Sequence, residues 1–214
     1  MAVYSFLLMI FIILSSSPAG APSIPAGKIE RTNGEVTVKR AGIEDIFRAK
    51  EHDTFFVGDT LTTKADSFAE IVFVDGGFAN IPRKTALMVN HYAYEKESRR
   101  RKAVVRVLEG TARFVLSQRP GKDSSFVVET DTARISAGLA DFIVEAQKDK
   151  TELYALGGAV QASNTSIFIA GNVTLETNEA STILRDKPPA GPRSLTGREI
   201  TGLTERTNLS FPGR

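Results

Sequence analysis

The 214-residue chain has no cysteine, no tryptophan and only two histidines. Without cysteine there can be no disulfide, thiol nucleophile, thiolate metal site or lipoprotein-type acylation. Without tryptophan a sugar-stacking face would have to be built from Tyr92, Tyr94 and Tyr154. Charge of one sign is also scarce: the formal net charge is +2, and from Arg185 onward six basic residues face three acidic ones. The body before Arg185 is therefore close to neutral, which is a poor start for binding nucleic acid.

Recognisable catalytic patterns are missing too. There is no GxSxG elbow, P-loop or GxGxxG, and no serine is paired with a base. His52 and His91 lie in neither HxxxH nor HExxH spacing, so a site from His52, Asp53 and His91 has no motif behind it. Asp59 and Asp75 look more like a carboxylate pair, in the stretch GDTLTTKADSFAEIVFVDGG from Gly58 to Gly77. Each, however, adjoins a glycine, and Asp-Gly pairs serve turns by capping backbone N–H groups and accepting positive φ. A catalytic pair needs roughly 5 to 10 Å between carboxyls, and the strand-like run between these two tends to separate them. They read as turn-formers. The sequence calls for no catalytic residue, metal or cofactor.

One apolar run stands out. Val3–Leu14 is about a dozen apolar residues, short of the roughly 20 that a spanning helix needs. Small residues follow, with Ala19-Gly20-Ala21 fitting a cleavage site, although no Lys or Arg precedes the apolar core. Residues 1–21 are expected to be a cleaved signal peptide, the alternative being an uncleaved anchor. Either way the remainder is expected to be periplasmic or secreted.

The rest is strand-like. Gly34–Lys39 alternates after the tight-turn pair Asn33-Gly34, and Glu70–Val74 runs into Asp75-Gly76. Val104–Leu108 leads to Gly110, after which Ala112, Phe114 and Leu116 share a face. Phe126, Val128 and Thr130 alternate, as do Phe142, Val144 and Ala146, with Gly138 and Gly157 as further punctuation. No window of the body holds a 3.6-residue period over three turns. These signals predict an all-β body over 34–184, after a linker and first turn at 22–33. A loosely ordered Pro/Gly/Arg-rich tail is expected at 185–214. In that tail Thr196-x-x-Glu199 can cap a short helix bearing Ile200 and Leu203, against the weakening effect of Gly197 and Gly202.

The polar stretch Tyr92–Lys102 reads as an exposed hairpin loop, and Arg99, Arg100, Arg101 and Lys102 within it as the candidate surface contact. Sequons occur at Asn164, Asn172 and Asn208 and matter only in a eukaryotic secretory route.

Taken in order, these pieces resemble the FecR domain of bacterial envelope proteins from about Gly34 to Leu184. The likeness is carried by the Gly58–Gly77 stretch, then KTALMV, VVRVLEGTARFVL and FVVETDTARISAGLADFIVE. The last block departs from the family's Arg-Gly-Thr before the aromatic residue, having Ala137-Gly138-Leu139-Ala140-Asp141-Phe142. The resemblance implies an elongated, twisted, solenoid-like β-fold without catalytic residues. It also implies an exported interaction or signalling module working through contact with an envelope protein. Binding of a cell-wall polysaccharide or another envelope polymer is the second reading. The identity of the partner and the oligomeric state stay open.

Overall fold

The structure is a computed structural model and describes residues 24–208, so the expected signal segment lies outside the described residues. In chain order the strands are β1 (Pro25–Asn33), β2 (Val36–Lys39), β3 (Ile46–Arg48), β4 (Thr54–Phe56), β5 (Thr60–Thr63), β6 (Phe68–Phe73), β7 (Phe78–Ile81) and β8 (Thr85–Glu95). They continue as β9 (Arg100–Leu116), β10 (Ser125–Glu129), β11 (Ala133–Gln147), β12 (Lys150–Asn164), β13 (Asn172–Leu175), β14 (Glu179–Leu184) and β15 (Arg193–Ser194). One helix follows, α1 (Gly197–Thr207).

All fifteen described strands belong to one hydrogen-bonded sheet, which the three longest fold into two layers. One layer runs β3-β2-β5-β8-β9-β10-β11-β12-β13, using the first half of β9 and β11 and the second half of β12. The other runs β4-β1-β6-β7-β9-β11-β12-β14-β15, using the remaining halves. A single apolar core joins Leu61, Val89, Val105, Val128 and Ile135 from the first layer to Ile71, Ile81, Phe114, Phe142 and Ile183 from the second. Alternation supplies it: Ala112, Phe114 and Leu116 are buried together, as are Phe142, Val144 and Ala146.

The crossing points explain several glycines. Gly110, expected to separate two strands, instead bends the single strand β9 at φ +86, and a Cβ there would lie 2.3 Å from the Lys84 carbonyl. Only glycine fits that approach. The ladder to β8 slips at Ala86/Leu87, and the Thr85 hydroxyl fills the gap, accepting from Thr111 N–H at 3.0 Å. Gly138 and Gly157 are likewise internal to β11 and β12, near the register shifts between those strands, and do not end them. The sequence shows glycine between two apolar runs in either case, so a bend and a turn look alike.

The stretch expected to be a linker and first turn, 22–33, contains a full strand. β1 pairs with β6 and β4 and buries Ala26 and Ile29. Pro25 and Gly27 read as breakers, yet β1 lies so close to β6 at Gly27 that a Cβ would meet the Val72 carbonyl at 2.3 Å.

The described part of the tail is fastened to the second layer. β15 pairs with β14, and α1 opens with a capping box between Thr196 and Glu199. Leu195 and Leu203 close over Ile143, Tyr154 and Ala180, the Arg206 guanidinium pairs with the Glu145 carboxylate, and Asn208 accepts from Arg113 at 2.6 Å. Burial, only partly offset by Arg206, raises the Glu145 carboxyl above the usual range. Burial and then the nearby Glu145 push the Tyr154 phenol up to about 12.

Candidate functional site

The two corner carboxylates are each held in place by an arginine. Gly58 turns at φ +89, and Asp59 behind it is fully buried. Its carboxylate accepts from Phe56 N–H at 3.0 Å and from Arg40 at 3.2 and 3.4 Å, while the Arg40 guanidinium lies 4.5 Å over the Phe56 ring. Gly76 turns at φ +82 beside Asp75. One Asp75 oxygen accepts from Gly77 N–H at 3.2 Å and from the Tyr92 hydroxyl at 2.7 Å, and the other meets Arg101 at 2.5 Å. Both carboxylates thus spend their lone pairs on backbone N–H groups and arginines, and Asp75 also on the Tyr92 hydroxyl. That is the pattern of structural corners, and it leaves neither oxygen set facing an open cavity.

The basic run divides. Arg99, Arg100 and Lys102 are exposed, and Arg100 pairs with Glu95. Arg101 is not a surface contact: it is 3% exposed, its guanidinium 4.9 Å over the Phe126 ring. The hairpin turn is also shorter than the expected loop, only Lys96–Arg99, because β8 continues to Glu95 and β9 begins at Arg100. Arg101 shares its phase with Ala103, Val105 and Val107, all buried, so period-2 alternation carried inward would have found it. Tyr92 is buried as well and stacks on Phe73 at 5.0 Å, which removes it as a sugar platform. A β-bulge at Val89/His91 turns it inward, and no sequence signal marks that shift. Burial first, then the Asp75 charge, raises the Tyr92 phenol far above its ordinary value.

His52 and His91 are exposed, and among the described residues His52, Asp53 and His91 form no metal-holding group. Asn164 is 7% exposed and donates to the carbonyls of Leu184, Arg185 and Lys187, so this sequon is a structural clamp.

What remains open is an edge. At one end the layers stop in two three-residue strands: among the described residues β3 bonds only β2, and β4 bonds only β1. Between them lies a groove of about 390 Å³ lined by Ile29, Val38, Phe47 and Phe56, together with Arg40, Arg48 and Lys50. Ile46 is 64% and Phe47 45% exposed, with Ile43 beside them. A strand edge has unpaired N–H and C=O groups, and apolar side chains on it invite a further strand. The sequence passes over this segment because three residues are too few to show alternation.

The fold and this edge together define a two-layered β-module whose open chemistry is backbone hydrogen bonding and apolar contact. Residues 59–161 match the family model described as FecR protein, and the chain carries a FecR domain there. Two crystal structures of a candidate anti-sigma factor from Parabacteroides distasonis are similar in fold, each with a TM-score of 0.51. They are 17% and 18% identical over 66% and 67% of this chain. The chain spans about three fifths of their length, 62% and 63%. No curated protein matches. Among the described residues no helix is long and apolar enough to cross a membrane.

Proposed function

We propose that the chain is an exported, non-enzymatic signalling module of the bacterial envelope that works by protein–protein contact at the β3 edge. The carrying observation is that, among the described residues, β3 is paired on one side only and presents Ile46 and Phe47 to solvent. An extended segment of a partner adds there as a strand: its main chain bonds the edge, and alternate side chains enter the groove beneath. The FecR domain and the anti-sigma likeness support a regulatory role, and the apolar run Val3–Leu14 supports export. The polymer-binding alternative loses two of its three tyrosines, since Tyr92 and Tyr154 are buried.

Phe47→Lys tests this reading. A lysine on an edge blocks strand addition while the core beneath stays packed. The variant is expected to keep the thermal transition of the parent and to reproduce the transcript changes caused by deleting the gene. An unchanged transcript profile in Phe47→Lys and in Ile46→Lys would overturn it.

A further inference from the structure

Resting on the reading of β3 as the contact edge, we propose that its occupant is β13 of a second copy, so that the chain assembles head to tail. The layer that begins at β3 ends at β13, which among the described residues bonds only β12, so these two edges are opposite ends of one layer. Their lengths match, three residues against four. Both ends carry exposed apolar side chains, Ile43, Ile46 and Phe47 at one of them. At the β13 end these are Ile167 and Phe168, each 91% exposed, on the loop that leads into the strand.

Charge separates this pairing from a like-with-like one. Residues 39–50 carry four basic and two acidic side chains, whereas residues 165–179 carry two acidic and no basic ones. With Arg48 and Lys50 at the β3 end and Glu176 directly after β13, pairing β3 with β13 brings opposite charge together, whereas β3 against β3 sets Arg48 and Lys50 beside their own copies. The groove under β3 has apolar walls and two basic residues, Arg48 and Lys50, against Asp53, with Arg40 already paired to Asp59, a setting for the Ile167–Phe168 tip. Because the two surfaces differ, the contact is heterologous and adds copies head to tail, closing into a ring or extending as a filament according to the rotation per copy.

The absence of cysteine makes the test direct, since each introduced thiol is unique. Full-length chains carrying Ile46→Cys, Thr174→Cys or both are treated in intact cells with a membrane-permeant bismaleimide. The double variant is expected to give a ladder of dimers, trimers and higher multiples. Each single variant alone gives monomer, and the two singles produced together give dimer and nothing larger. Adding Phe168→Lys to the double variant is expected to reduce the ladder at least tenfold without moving the thermal transition, because Phe168 is 91% exposed and a lysine there meets the basic groove. Three results would overturn the proposal: no ladder; a dimer from Ile46→Cys alone, which means a symmetric contact; or adducts at masses that are not multiples of the chain, which means another protein on the edge. If the ladder is absent while Phe47→Lys still loses the transcript response, self-assembly fails and the contact reading stands. If the ladder forms while Phe47→Lys responds normally, the assembly exists and that reading fails.

Discussion

Asp75 and Arg101, 26 positions apart, meet at 2.5 Å with each side chain only 4% exposed. The pair closes one end of an aromatic series in which Tyr92, Phe73, Phe126, Phe114 and Phe142 touch in turn, at centroid distances of 5.0 to 6.1 Å. A turn carboxylate and a hairpin arginine are thus one buried unit that ties β8, β9 and the Asp75 corner together.

Breaking that unit from one side should be costly. Asp75→Asn preserves an oxygen for Tyr92 and Gly77 but leaves Arg101 buried without its counter-charge, a loss on the order of 3–5 kcal/mol. This is far more than a turn-capping role alone would give. Asp75→Asn combined with Arg101→Met is expected to recover part of the loss. Chemical denaturation of the two single variants and the double decides it, and strict additivity would mean that the pair contributes nothing through its contact.

The basic run offers a matched contrast. Replacing Arg99, Arg100 and Lys102 by Ser should change stability by no more than about 0.5 kcal/mol each, as exposed positions do. Arg101→Ser alone should exceed all three together, because it strands Asp75 and empties the space over Phe126. Equal thermal transitions for the triple variant and Arg101→Ser would contradict the burial of Arg101.

Stability should fall on the alkaline side. The Tyr92 phenol is raised in the folded state, so above the ordinary tyrosine range, near pH 10, the unfolded chain releases a proton that the folded chain keeps. The unfolded state then binds fewer protons, and folding stability declines as pH rises from about 10 upward. Tyr154, pushed up to about 12, adds to the same slope. Tyr92→Phe is expected to flatten that decline while lowering stability at neutral pH through loss of the hydrogen bond to Asp75. A slope unchanged in Tyr92→Phe would show that this phenol does not control the alkaline limb.

Export leaves a chemical mark. N-terminal sequencing of the protein from the envelope fraction should begin at Pro22, after Ala-Gly-Ala. A chain that still begins at Met1 or Ala2 would sink the cleaved-signal expectation.

The strands were legible wherever apolar residues alternated over five or more positions, as at Ala112–Leu116 and Phe142–Ala146, because period 2 is the only pattern that buries one face of a strand. Their extent was not. β9, β11 and β12 looked like pairs of short strands because Gly110, Gly138 and Gly157 sit where the chain passes between layers, and the second layer is a long-range fact. The start of α1 could be read from Thr196 and Glu199. Its eleven residues could not, since Gly197 and Gly202 argue against a helix that docking of Leu203 and pairing of Arg206 sustain. The Asp-Gly corners could be seen in the sequence, but not the arginines that the aspartates meet. Arg40 and Arg101 come from other strands, and only the fold brings them within reach.

Whether function resides at the β3 edge or in the corner carboxylates is decided by one comparison. Asp59→Asn and Phe47→Lys are each introduced at the native locus, and the transcript response is measured per folded molecule, with folded protein quantified in the same cells. The expected result is a retained response for Asp59→Asn, even though less of it folds, and a lost response for Phe47→Lys at a parental folded level. The reverse outcome, a silent Asp59→Asn that folds normally beside a fully responsive Phe47→Lys, would contradict the edge-contact account and return Asp59 to chemistry.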